Sequence, residues 1–141
     1  MIVKSYLNLS KEEFLDVFLE LVNLLQNEER KLTKTQRIIL REFLLLDDKI
    51  FKFTRFGALG KKAVMQSLKE KYGWEYKHHN MNIAVINYTK KGFVYKDVDS
   101  VKYLNKGLKL YLEKVATSKE PQDITFRLSV KNDDSSERLT G

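Results

Sequence analysis

Few residues in this chain have the types and spacing that chemistry requires. His78 and His79 are the only histidines. As sequence neighbours they point to different sides of a helix or strand, so they do not offer two ligands to one metal. Glu75 is the one nearby acid that could pair with an imidazole. A polar loop or helix cap, able to meet a phosphate when protonated, is the expected role of the pair. Gly57-Ala58-Leu59-Gly60-Lys61-Lys62 has the outline of a phosphate loop. Such a loop needs four residues between its glycines and a Ser or Thr after the lysine to hold Mg²⁺. Here two residues separate the glycines and Lys62 follows, so a turn that starts a helix is expected. Asp47-Asp48 stands where a helix should stop, which favours a turn over a metal pair. Trp74, beside Gly73 and Tyr76, is expected to lie buried under its loop rather than to stack on a base. There is no Cys, which excludes a disulfide scaffold, a thiolate metal site and a Cys nucleophile. No Ser–His–Asp set or Gly-x-Ser-x-Gly elbow occurs. The expectation is a protein that is not an enzyme and has no cofactor and no metal.

Charge says more. The chain of 141 residues carries 26 Lys and Arg against 19 Asp and Glu, a net of +7. Residues 1–29 hold two lysines against six acids, a net of −4. Residues 30–96 hold sixteen basic residues against five acids, a net of +11, and residues 97–141 balance at eight of each. So basic a middle segment is the composition of a surface that meets a polyanion. A membrane surface is not expected, since no basic helix carries Trp or Phe on an apolar side. Nor does any apolar run approach the roughly 18 residues that span a bilayer. Met1 to Ser5 lacks a signal peptide's basic start and apolar stretch, so the expected address is the cytoplasm or a particle assembled there.

These residues must be positioned by helices. Ser10 three residues before Glu13 is a capping-box spacing, and Thr33 before Gln36 is a second. The first helix then carries two apolar stripes side by side, Phe14, Phe18, Leu21 and Leu25, and Leu15, Leu19 and Val22. Only Asp16, Glu20 and Asn23 look outward. A helix this apolar must be covered on two sides. Phe18 and Leu21 are assigned to the core, and Leu15, Leu19 and Val22 to an oligomer interface. The second helix runs from Thr33 to Asp47, with Arg37 and Arg41 on one face. Ile50 to Thr54 reads as a short strand. A third helix spans Leu59 to Tyr72, closed by Gly73, where a left-handed residue costs little only for Gly. A fourth spans Asn80 to Lys91 and ends at Gly92, with Met81, Ala84, Val85 and Tyr88 inward. Phe93 to Lys96 and Val101 to Leu104 read as a hairpin about Asp97–Ser100, and Lys106 to Val115 as a last helix or a continued strand. Ile124, Phe126, Leu128 and Val130 alternate strictly with polar residues, the pattern of a half-buried strand. Asn132 to Gly141 is polar and expected to be disordered.

From Leu32 to Leu104 this order of elements resembles a winged helix-turn-helix domain. Tyr88-Thr89-Lys90-Lys91-Gly92-Phe93-Val94 is similar to the end of a recognition helix, where basic residues precede a Gly and an apolar pair that opens the wing. The likeness covers about half the chain. It implies that the fourth helix enters the major groove of duplex DNA and that the wing touches backbone or minor groove. On this mapping Asn82, Asn87, Lys90 and Lys91 face DNA, Lys61 and Lys62 contact phosphate, and Lys96 and Lys102 flank the wing tip.

The expected class is therefore α+β and mainly α. An N-terminal amphipathic helix (residues 1–31) precedes a winged-helix-like domain (32–118), and a C-terminal strand and tail (119–141) follow it. Two functions fit. The first is a DNA-binding regulator of transcription or replication that forms a homo-oligomer. The second is an assembly subunit of a bacteriophage particle, such as a ring, connector or neck component, in contact with itself and with other virion proteins. Ile83 and Ile86, on the outward side of the fourth helix, and the two-sided apolar first helix favour the second, while the acidic wing tip counts against the first because it would repel phosphate. The strand of Ile124, Phe126, Leu128 and Val130, which could fold back on the hairpin or join a neighbour's sheet, also favours the second.

Overall fold

The computed structural model describes residues 9–96, 102–104 and 108. They are mainly helical. Helices α1 (Lys11–Leu24), α2 (Lys34–Leu45), α3 (Asp48–Phe51), α4 (Ala58–Tyr72) and α5 (His78–Lys90) precede strands β1 (Val94–Lys96) and β2 (Lys102–Leu104). A single 3-10 turn, Glu28–Arg30, joins α1 to α2. The strands pair antiparallel with Val94 opposite Leu104. The expected wing tip at residues 97–100, the segment Lys106 to Val115 apart from buried Leu108, the expected strand of Ile124, Phe126, Leu128 and Val130, and the expected tail lie outside the described residues.

Both expected capping boxes form. Ser10 Oγ accepts from Glu13 N–H, and Glu13 accepts from Ser10 N–H, each at 3.1 Å. Thr33 and Gln36 exchange the same bonds at 3.2 and 2.8 Å. Each box satisfies two amide donors that no helical carbonyl can reach.

The rotation of α1 corrects the expected division of its stripes. Leu15 and Leu19 are wholly buried in the chain's own core, with Ile39, Leu40, Phe43 and Val64 among its members, so they have no surface left for a partner. Phe14, Phe18 and Val22 pack partly buried against the same core, Leu21 is half-buried and Leu25 is exposed. Asn23, expected to face outward, is buried. Its amide donates to Leu32 O at 3.1 Å, and its carbonyl accepts from Leu32 N–H at 2.6 Å. Asn23 thus mimics a paired peptide group and fixes the start of α2 against the end of α1.

The expected strand at Ile50–Thr54 is replaced by α3 and a run of turns. Asp47 Oδ1 accepts from Lys49 N–H at 2.9 Å and starts the short helix. Arg55 then reaches back, donating to Phe43 O at 2.7 Å and Leu46 O at 2.9 Å and pairing with Asp48 at 3.0 Å. The carbonyls at the end of α2 need such donors, and a strand would leave them without Arg55. Gly60, in the first turn of α4, crosses this loop closely: a Cβ there would stand 1.8 Å from Arg55 O. Gly60→Ala is therefore expected to cost about 3 kcal/mol or more, because backbone must move. Gly57→Ala, whose Cβ would meet Thr54 O at an ordinary 3.5 Å, should leave the thermal midpoint nearly unchanged. Equal midpoints for the two variants would refute the close crossing.

Helices α4 and α5 form a consecutive pair across residues 73–77. Gly73 adopts φ +70° and donates to Lys69 O at 2.9 Å, closing α4 as expected. Helix α5 begins two residues earlier than expected, at His78, and buries Met81, Ala84, Val85 and Tyr88. Tyr88 O–H donates to Gln36 O at 2.8 Å, and its ring meets Phe43 edge-on. After Gly92, at φ +84°, buried Phe93 and Val94 anchor the hairpin.

Candidate nucleic-acid interface

The inward positions of α5 determine what its other side presents. With Met81, Ala84, Val85 and Tyr88 in the core, His79, Asn82, Ile83, Ile86 and Lys90 share the outward face at helical spacing, and all are exposed. His79 had no place in the sequence mapping, because the helix starts earlier than its capping residues suggest. Lys77 N–H donates to the Asn80 side chain at 2.9 Å, an N-cap pattern without a Ser, Thr or Asp to announce it. Asn87 is half-buried at the edge of the face.

The structure brings together two of the mapped residues from different helices. Lys61, in the first turns of α4, donates to Asn82 Oδ1 at 2.7 Å. Lys62 beside it is exposed. The start of α4 and the outward face of α5 therefore meet at Lys61 and Asn82, with exposed Lys90 two turns further along α5 and Lys62 exposed next to Lys61 in the chain. Lys91 is half-buried and its ammonium donates to Lys31 O at 2.6 Å, which ties the end of α5 to the connection before α2. In the hairpin, Lys96 on β1 stands opposite Lys102 on β2. Ile83 and Ile86 are 44% and 46% exposed in the middle of the α5 face.

Part of the basic excess of residues 30–96 is engaged inside the fold, though most of its Lys and Arg side chains are exposed. Arg41, with its side chain 5% exposed, pairs with Asp16 at 2.9 Å, Glu42 at 3.0 Å and Glu12 at 3.4 Å, and donates to the Tyr72 hydroxyl. Lys71 pairs with Glu12 at 2.6 Å and with buried Glu42 at 2.8 Å. These groups knit α1, α2 and α4 together. The hydrogen bond from Lys71, helped by the charges of Lys71 and Arg41, holds the Glu12 carboxyl below its ordinary range against the opposing effect of burial. Burial works against the Lys71 ammonium, but its bonds to Glu12 and Glu42 outweigh that and raise its pKa. The sequence places Arg37 and Arg41 on one face, yet gives no sign that Arg41 turns inward to acids 25 or more residues away. The four-residue spacing of Glu12 and Asp16 is the one local hint.

Trp74 is half-buried. Tyr72 stacks on its ring with centroids 4.6 Å apart, and Tyr76 meets it edge-on. Among the described residues no group of three His, Asp or Glu could hold a metal ion, and no helix is long and apolar enough to cross a membrane. What the α4–α5 surface offers chemically is ammonium groups for phosphate and an amide able to pair with a base edge. The chain matches no protein-family model, no curated protein and no solved structure.

Proposed function

We propose that the chain binds duplex DNA without catalysing a reaction. In this reading residues 32–118 form a winged helix-turn-helix with α5 as its recognition helix and β1–β2 as its wing, serving regulation of transcription or replication. One observation carries the reading: Lys61 and Asn82, far apart in sequence, meet at 2.7 Å on a face that continues through Lys90 toward the hairpin. A helix whose inner stripe is locked in a core and whose outer stripe carries Asn and Lys is shaped to lie in a major groove. Asn82 would read adenine, and Lys62 and Lys90 would contact phosphates. Lys96 and Lys102 would meet the backbone beside the wing.

The test is duplex affinity across a salt series. The logarithm of affinity should fall linearly with the logarithm of salt. Lys62→Ala with Lys90→Ala should weaken binding to all sequences alike and lower the slope by about two, one for each phosphate that no longer meets an ammonium. Affinity indifferent to salt, or no binding at low salt, would overturn the reading. That result would favour the second reading, an assembly subunit of a bacteriophage particle, for which the specific support is Ile83 and Ile86 exposed on the same face.

A further inference from the structure

Lys61 was mapped to a phosphate, yet its ammonium is engaged within the protein. It donates to Asn82 Oδ1 at 2.7 Å, across 21 residues of sequence. Both ends of this bond stand on anchored backbone. Gly60, just before Lys61, is buried, and a Cβ there would stand 1.8 Å from Arg55 O. Lys61 N–H donates to Gly57 O at 3.0 Å. On α5, Met81 beside Asn82 and Val85 one turn on are wholly buried, in the same core as Val64 and Leu68 of α4. Packing of the two helices thus holds the pair within reach.

An ammonium has three N–H donors and no acceptor. The Asn82 amide can therefore meet it only through oxygen. Turned over, the amide would present its own N–H groups to the charge and lose the bond. The contact selects one of two orientations of an exposed amide. It consumes neither the oxygen's second lone pair nor either amide N–H. When a duplex covers the pair and excludes water, the bond strengthens.

The orientation matters to a base edge. Adenine pairs with an Asn amide by giving N6–H to the oxygen and accepting N–H at N7. Guanine carries the acceptor O6 where adenine carries N6–H, so an amide oxygen held there meets a lone pair. To donate to O6 instead, the amide must turn over and give up Lys61.

We infer that Lys61 is a positioning residue for Asn82, fixing the amide so that it accepts adenine and rejects guanine at the same place. This role rests on the DNA reading proposed above. Within that reading, Lys61 sets base preference rather than neutralising a phosphate.

Selection of sites from a random duplex library, followed by affinities for single-base variants of the selected site, tests it. Asn82→Ala should flatten the preference for adenine at one base pair, which identifies the pair that Asn82 reads. Lys61→Met keeps the side chain's length and removes its donors. It should lower the adenine-over-guanine ratio at that pair by about fivefold, the low end of what a bidentate contact discriminates. Preferences elsewhere and the salt slope should stay as in wild type, whereas Lys62→Ala should lower the slope by about one with preferences kept. Lys61→Arg, which retains donors, should restore most of the ratio. Added to Asn82→Ala, Lys61→Met should change the ratio no further. A structural loss alone would weaken all sequences alike and follow the melting temperature, measured for each variant. Where Lys61→Met does not fold, Lys61→Ala replaces it. A wild type that binds no duplex overturns the DNA reading and this role with it. A wild type that binds, with Asn82→Ala leaving every preference unaltered or Lys61→Met leaving the ratio intact, overturns this role alone.

Discussion

Glu42→Ala should destabilise the fold by about 3–5 kcal/mol, the usual cost of removing one partner from a buried charge network. The Glu42 side chain is 2% exposed and faces Arg41 at 3.0 Å and Lys71 at 2.8 Å. Its loss leaves a nearly buried guanidinium with less compensation and opens space between α2 and α4. By contrast, Lys69→Ala should change stability by less than about 0.5 kcal/mol, because its partner Glu75 lies 3.7 Å away and both side chains are mostly in solvent. Urea unfolding reads both: the midpoint should shift strongly for the first and hardly at all for the second, with unchanged slopes. A Glu42→Ala midpoint equal to wild type would show that the network is ornamental. The same cluster makes stability depend on pH. Folding lowers the Glu12 pKa, so its contribution is present above the ordinary carboxylate range and is lost as pH falls through the lowered value. Glu12→Gln should accordingly flatten the acid limb of the stability profile.

Leu19→Ala should cost about 2–5 kcal/mol, the range for emptying a packed leucine site. Leu19 is 1% exposed within the core, one turn after equally buried Leu15. At concentrations where the chain is monomeric, Leu25→Ala should cost little, because Leu25 already stands in water. The pair of variants therefore reports which way α1 is turned. Were the stripes reversed, with Phe18 and Leu21 in the core and Leu19 toward a partner, Leu19→Ala would alter mass and leave monomer stability intact. Thermal or urea midpoints measured in dilute solution decide between these outcomes.

Local rules were legible in the sequence wherever the cause lies within a few residues. Ser10 with Glu13 and Thr33 with Gln36 start helices because a side chain three residues away supplies the missing bond. Gly73 and Gly92 end them because their φ values of +70° and +84° suit a residue without a Cβ. The inward stripe of α5 was readable because Met81, Ala84, Val85 and Tyr88 follow one face at helical spacing, while Ile83 and Ile86 share theirs with Asn82 and Lys90. On α1 two adjacent stripes are almost equally greasy, and periodicity states which residues share a face but not which face turns in. Tertiary structure decided that through Asn23 bonding Leu32 and through Arg41 reaching Glu12 and Asp16. It likewise turned the β-prone Ile50–Thr54 into a helical turn, because the end of α2 offered Arg55 carbonyls to cap. It also directed the Lys91 ammonium to Lys31 O. Each of these outcomes depends on a partner nine to sixty residues away, and such a partner is chosen only when the whole chain packs.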